Sequence, residues 1–162
     1  MAKRDLNVGQ IMEILTTTMP RLEELTDGIP EQRLYAVTDY GWSVNDQLAH
    51  LRACHDVLGG NMLRIVREDH PAWKGMSPRT WQKQTDYFEW KFPPAFEAFR
   101  GQRAELLEVL GAMPPEAWER TATVSVPPNE TYEYSTAYYG DWMARHERGH
   151  LGHMARILKS LG

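Results

Sequence analysis

Hydrophobic residues recur at three- and four-residue spacings over four long segments of the chain, which is the pattern of amphipathic helices. These segments run from about Val8 to Leu25, Ser43 to Arg67, Pro94 to Met113, and Ser135 to the C-terminus. Pro20 is expected to kink or interrupt the first helix, because proline cannot donate an intrahelical hydrogen bond. Four such helices, each with one apolar stripe facing a shared core, predict an all-α fold.

Two long connections separate the predicted helices. Residues 71–94 are polar and aromatic without a clean period, and we interpret them as a crossover or lid with room for a short helix over residues 79–90. Residues 121–126 and 131–134 alternate enough for a short extended pair at most. The sequence therefore predicts one domain over residues 1–162, a four-helix bundle with long crossover connections.

Charge and composition narrow the class of protein. The chain has a net charge of −4 with positive and negative side chains interspersed, unlike the basic surface of a nucleic-acid-binding protein. It has no run of about 20 apolar residues that would cross a membrane, and no signal-peptide core at its start. The lone cysteine, Cys54, excludes an internal disulfide and fits a reducing compartment. We expect a cytoplasmic protein that binds neither nucleic acid nor membrane.

The last helix carries the segment His146-Glu147-Arg148-Gly149-His150. Two histidines four residues apart lie on one face of a helix and about 6 Å apart along its axis, so both can bind one metal ion. The segment also has the H-E-x-x-H form, in which the glutamate acts as a general base. This motif also occurs by chance in unrelated chains. Solvated or core histidines, and an exposed helix carboxylate for Glu147, are the alternatives.

An open catalytic metal site needs a third protein ligand, since such zinc sites use three and leave one position for water or substrate. His50 is the best candidate, because it lies among apolar residues within the second helix, where an unsatisfied imidazole is costly. If the two helices run parallel, His50 and His146 differ in height by about 5 Å. His153 offers a rival set with His50 and His150. A core histidine bonded to a backbone carbonyl is the alternative for His50.

Cys54, His55 and several aromatic residues lie near these histidines in the sequence. Cys54, four residues after His50, is either a thiol that faces the metal or attacks a substrate, or a small core residue. His55 lies about 140° around the helix from His50 and is expected to face elsewhere. Aromatic residues near the starts of the two histidine-bearing helices either wall a substrate pocket or pack in the core. They are Trp42, Tyr138, Tyr139 and Trp142.

Two segments of the chain contain short motifs built around these histidines. Residues 41–51 read GWSVNDQLAHL, and residues 146–154 read HERGHLGHM. They resemble the W-S-x-x-x-x-L-x-H-L and H-x-x-x-H-x-x-Q-I signatures of the DinB/YfiT-like metalloenzyme family, with His153 at the usual glutamine position. The resemblance covers nearly the whole chain. It implies that the family's three metal ligands correspond to His50, His146 and His150.

The resemblance implies a metal-dependent enzyme that acts on a small molecule. Zinc or nickel is expected before calcium or magnesium, because three imidazoles and a water suit borderline metals. The family includes thiol-dependent S-transferases, so a low-molecular-weight thiol ionised on the metal is one expected co-substrate. A hydrolase that uses a metal-bound water is the alternative. A non-catalytic stress or binding protein that keeps its metal for stability is a third interpretation, and a homodimer is compatible with all three.

Overall fold

Helices account for most of the chain in the computed structural model, which describes residues 3–162. The four long helical segments predicted from the hydrophobic periodicity are all present, and the second is interrupted by one π-helical turn, His55–Gly59. Two short helices lie in the connections. The helices are α1 (Val8–Thr26), α2 (Glu31–Tyr35), α3 (Val44–Cys54), α4 (Gly60–Arg67), α5 (Pro78–Gln82), α6 (Phe92–Ala112) and α7 (Thr136–Ser160).

Side-chain caps fix where three of the long helices begin. Asn7 and Ser43 each form a capping box with the residue three positions later, and Ser135 accepts a hydrogen bond from the Tyr138 backbone amide. Caps of this kind satisfy amide groups that have no intrahelical partner. Pro20 lies inside α1 and does not end it. The carbonyl that loses its intrahelical donor at this proline is that of Thr16, an exposed residue.

Contacts along the helices fix their directions. Gln47 lies against His150, whereas Met62, farther along the same helical segment, lies against Gly140. The segment α3–α4 therefore runs antiparallel to α7. The parallel arrangement assumed above for the histidine heights is wrong. His50 still meets His146, because Gln47 lies against His150 and three residues forward along α3 correspond to four residues backward along α7.

Helices α3 and α6 run in the same direction. Asn45, near the start of α3, donates to the carbonyl of Trp90 just before α6, and Asp56, beyond the end of α3, accepts from Gln102 in the middle of α6. Two parallel helices that follow one another in the chain need a connection that returns along the bundle. The segment between Arg67 and Phe92 provides it, as the sequence predicted.

A three-stranded sheet packs against the bundle, where the sequence predicted an extended pair at most. The strands are β1 (Ala72–Lys74), β2 (Thr121–Val126) and β3 (Glu130–Ser135). Strand β2 pairs antiparallel with β3 and parallel with β1, with Trp73 opposite Val124. Strand β1 was not predicted, because three residues carry too little periodicity and their partner lies about 50 residues farther along the chain.

The core consists of two apolar clusters separated by a polar layer. One cluster contains Leu15 of α1, Leu106 of α6 and Ala144 of α7, and the other contains Met19, Phe99 and Leu151 of the same helices. Between the two clusters, α1, α3, α6 and α7 each contribute one buried polar side chain. These side chains are Thr18, His50, Arg103 and Glu147. Across residues 3–162, no helix is long and apolar enough to cross a membrane.

Candidate metal centre

Three histidines converge beside the polar layer. The Nε2 atom of His146 lies 3.3 Å from Nε2 of His50 and 3.1 Å from Nε2 of His150. One possible ligand atom from each residue lies within 4.8 Å of the other two. Two imidazole nitrogens that bind one tetrahedral zinc ion, each at about 2.0–2.1 Å, are about 3.3 Å apart. The separations around His146 therefore fit a shared ion.

Two glutamine side chains orient the outer histidines. Nδ1 of His50 lies 2.6 Å from Oε1 of Gln82, and Nδ1 of His150 lies 2.6 Å from Oε1 of Gln47. An amide oxygen only accepts hydrogen bonds, so this arrangement assigns the proton of each ring to Nδ1 and leaves the Nε2 lone pair free. The free lone pairs face Nε2 of His146. Converging lone pairs repel one another unless a proton or a cation lies between them.

Burial keeps these imidazoles neutral near pH 7. It is the main reason that the pKa of His146 falls to about 4 and the pKa of His150 to about 3, with charge on the neighbouring histidines as a further cause. Burial also lowers the pKa of His50, although the hydrogen bond that His50 donates to Gln82 opposes the change. The positive charge of Arg79 lowers the pKa of His50 and His146 further. Neutral imidazole is the form that binds a metal ion.

Glu147 faces the bundle interior, on another side of α7 from the two histidines. Its carboxylate is 2% exposed and is paired with the guanidinium of Arg103. The hydroxyl of Thr18 donates to the carboxylate at 2.8 Å. This geometry does not support a general base at Glu147, because both oxygens are already hydrogen-bonded inside the core. It also excludes the exposed carboxylate considered as the alternative.

Asp56, in the π-helical turn, holds the crossover against the bundle. Its carboxylate accepts from Nε1 of Trp81 at 2.9 Å, from the hydroxyl of Tyr87 at 2.6 Å and from the amide of Gln102. Trp81 is the neighbour of Gln82 in α5, so these bonds help to keep Gln82 within reach of His50. The crossover thus supplies an outer partner to the site.

Comparison with known proteins agrees with this architecture. A family profile described as the DinB superfamily matches residues 14–154. The chain belongs to the DinB superfamily. No curated protein sequence matches the chain.

Among solved structures, the fold of this DinB-superfamily chain is similar to that of YfiT from Bacillus subtilis. The TM-score is 0.74 at 15% identity, over 100% of this chain and 93% of the other. That structure is described as a probable metal-dependent hydrolase with an unusual four-helix bundle topology. At this identity the likeness shows a shared fold.

Cys54 of this DinB-superfamily chain touches the histidine cluster while belonging to the apolar core. Its sulfur lies 3.5 Å from Nε2 of His50, and the residue is buried in the cluster that contains Leu58. Burial raises the pKa of the Cys54 thiol to about 12, and the charge of Glu147 acts in the same direction. The thiol is therefore protonated at neutral pH when no ion is bound, as suits a packing residue.

His153 points away from the other histidines of α7. Its ring packs edge-on against Tyr40, with the centroids 4.6 Å apart. The group of possible metal ligands within residues 3–162 consists of His50, His146 and His150. The rival set built on His153 is therefore not the one that the structure brings together.

We expect His153→Gln, which restores the residue usual in the family signature, to bind as much metal as the parent protein. The ring contributes a contact with Tyr40 and no nitrogen to the cluster. Elemental analysis of both proteins checks this. Loss of the ion in His153→Gln, together with retention of the ion in His146→Ala, would instead support the rival set.

His55 faces the core, as its position on the helix predicted. The ring lies edge-on to Phe99 with the centroids 5.9 Å apart, and Nε2 is buried without a hydrogen-bond partner among the described residues. Burial, with the charge of Arg103 as a further cause, lowers the pKa of His55 to about 3. The residue is therefore neutral over most of the acidic range while the protein is folded.

His55 should make the folded protein sensitive to acid. The unfolded state gains a proton at His55 below pH 6.5, whereas the folded state stays neutral down to about pH 3. Stability therefore falls as the pH drops through this window, by at most about 1.4 kcal/mol per unit. We expect urea unfolding of metal-free His55→Leu at pH 7, 5.5 and 4.5 to show a shallower loss than the parent. His70→Gln, at an exposed histidine, serves as the control, and equal slopes in all three proteins would exclude this role.

Sequence reasoning missed Gln47, Gln82 and Asp56. Gln47 offered a signal, because it is a polar residue three positions before His50 on a helix face that is otherwise apolar. Gln82 offered none, since it belongs to a segment without periodicity and reaches His50 only through tertiary structure. The aromatic residues divide between two places: Trp42 packs on His50 with the ring centroids 5.1 Å apart, and the others line a separate cavity.

Proposed function

We propose that this protein is a metal-dependent hydrolase whose divalent ion is bound by His50, His146 and His150. The observation that carries the proposal is the convergence of three neutral imidazoles, two of them oriented by glutamine. Three protein ligands with a fourth position left for a reactant are typical of catalytic zinc sites. The description of the structurally similar YfiT as a probable metal-dependent hydrolase supports this proposal.

The three residues suit zinc or nickel, because imidazole nitrogen is a borderline ligand that these ions bind better than calcium or magnesium do. When bound, such an ion lowers the pKa of a water ligand toward neutrality and polarises a carbonyl group. The chain itself holds the imidazoles in one orientation through Gln47 and Gln82. His146 and His150 are only partly buried, so a small molecule can approach them from solvent.

The test is hydrolysis of a panel of uncharged esters, lactones and amides by zinc-loaded and nickel-loaded protein purified without a histidine tag. We expect turnover without any added thiol. Turnover should stop on chelation and return when the ion is restored. Hydrolysis that persists after complete removal of the metal would contradict the proposal. Absence of turnover with a large fall in melting temperature on chelation would support the non-catalytic alternative.

A second candidate, a thiol-dependent S-transferase, is favoured by Arg79. Its positive charge lowers the pKa of His50 and of His146. Arg79 forms no ion pair with any acidic side chain in residues 3–162. A free guanidinium beside the site suits a carboxylate-bearing thiol. The same assays with cysteine, glutathione, bacillithiol and mycothiol separate the two candidates. Turnover that requires a thiol, and that Arg79→Gln weakens mainly through the KM for the thiol, would favour the transferase.

We expect Gln82→Ala to weaken metal binding by about 10- to 100-fold, the usual effect of losing a hydrogen-bond partner of a metal-binding histidine. The substitution removes the acceptor for Nδ1 of His50 and frees the ring to rotate. Competition with a chelator of known affinity measures the change. Gln84→Ala, at an exposed glutamine of the same connection, is the matched control. Equal affinities for the two variants would show that Gln82 does not orient His50.

A further inference from the structure

A second feature, an aromatic cavity, lies one helical turn from the histidines. We propose that it binds an uncharged, aromatic or aliphatic part of the substrate. This proposal rests on the proposed function only in that another part of the same molecule would react at the metal site. The cavity has a volume of about 410 Å³. This is within the range of small-molecule sites.

Three segments of the chain carry both lining residues of the cavity and residues of the histidine site. On α7, Trp142 lines the cavity four residues, or about 6 Å along the axis, before His146. In α5, Thr80 lines it two residues before Gln82, which is bonded to His50. Leu58 lines it four residues after Cys54, whose sulfur touches His50. The cavity is therefore a neighbour of the histidine cluster, so a group bound there can belong to a molecule that reacts at the histidines.

The lining selects against negative charge. One quarter of the residues in the chain are charged, yet no Asp, Glu, Lys, Arg or His lines this cavity. An anion placed there would lose part of its hydration without gaining a cationic partner, which is costly. The lining includes hydrogen-bonding side chains from Asn61, Ser77 and Thr80. They suit an uncharged polar substituent on an otherwise apolar group.

The aromatic wall is already ordered. The rings of Tyr134 and Tyr138 are stacked with centroids 4.2 Å apart and planes at 5°. The ring centroids of Tyr138 and Trp142 lie 6.4 Å apart. Tyr139 packs against both tyrosines. Side chains that are fixed before binding lose little conformational entropy when a ligand arrives. A flat, apolar group that stacks on Trp142 gains contact area at small cost.

The test is calorimetric binding of 2-naphthol, an uncharged probe, to protein from which metal has been removed. We expect saturable binding of one molecule per chain, and about the same affinity after zinc is restored. Naphthalene-2-sulfonate, an anionic probe of similar size, should bind at least about tenfold more weakly. Because this binding is measured without metal, failure of the metal site and failure of the cavity are separate results.

Variants locate the bound probe. Trp142→Ala should weaken 2-naphthol binding by about tenfold, since it removes the stacking surface. Tyr132→Ala, at an exposed tyrosine that stacks on Tyr134 outside the cavity, should change it less than about twofold. Val126→Asp, which places a charge in the wall, should abolish binding, while Val37→Asp at an exposed position should not. Circular dichroism checks that each variant is folded.

Three results would overturn the proposal. The first is no saturable binding of 2-naphthol to the folded parent protein. The second is equal affinity for the uncharged and the anionic probe. The third is equal loss of binding in Trp142→Ala and Tyr132→Ala, or unchanged binding in folded Val126→Asp.

Discussion

His146→Ala is expected to reduce the bound metal from about one ion per chain to none. The Nε2 atom of His146 lies between those of His50 and His150, at 3.3 and 3.1 Å, so its loss leaves two ligands that no third residue joins. Elemental analysis of protein purified without a histidine tag measures the stoichiometry. A metal present at about 1,000 times its Kd adds about 4 kcal/mol to the stability of the parent, and this gain should vanish in the variant.

The matched control is His70→Ala, which removes a histidine exposed beside the sheet and should retain the ion. His70 bonds to Thr123 and lies near Glu133, away from the cluster. Full occupancy in His146→Ala would remove His146 from the metal centre. Loss of the ion in both variants would point to general damage to the fold.

Arg103→Leu is expected to destabilise the protein by about 3–5 kcal/mol, because it leaves the carboxylate of Glu147 buried without its charge partner. Arg103 and Glu147 are 1% and 2% exposed, and the guanidinium also donates to the carbonyl of Leu15 at 2.9 Å. The free energy of unfolding in urea, measured at pH 7 without metal, gives the effect. The double variant Arg103→Leu with Glu147→Met should recover much of the loss, since it removes both charges together.

Glu147→Gln tests the same pair from the other side. If Glu147 acts only inside the core, the variant should lose stability while keeping its metal and, at a temperature where it is folded, the pH profile of the parent enzyme. A general base would behave differently, because its removal would abolish the acidic limb of that profile. A large fall in kcat with unchanged stability would restore Glu147 as a catalytic residue.

The helices and the shared face of His146 and His150 were predictable from the sequence because both depend on local spacing. An apolar stripe every three or four residues specifies a helix, and the four-residue spacing of His146 and His150 specifies a shared face. His50 was identifiable because a histidine within an apolar helix needs a partner. The pairing of His50 with His146, 96 residues away, does depend on how distant segments meet, and the resemblance to the DinB/YfiT-like signatures supplied it.

The features that the sequence did not reveal depend on distant segments. Gln82 reaches His50 only because Asp56 holds the crossover in place, and Glu147 meets Arg103 across 44 residues of chain. The H-E-x-x-H pattern suggested a base at Glu147, but neighbouring helix positions differ by about 100°. Once His146 and His150 face α3, that rotation turns Glu147 toward α1 and α6.

X-ray absorption spectroscopy of the protein loaded with zinc, and separately with nickel, tests the central claim most directly. The account predicts one ion per chain with three imidazole nitrogens, at about 2.0–2.1 Å for zinc, and at least one oxygen donor from solvent. The imidazole signal should lose one ring in any single histidine variant that still retains metal. A spectrum with sulfur from Cys54, or one with fewer than three imidazoles in the parent protein, would contradict the account.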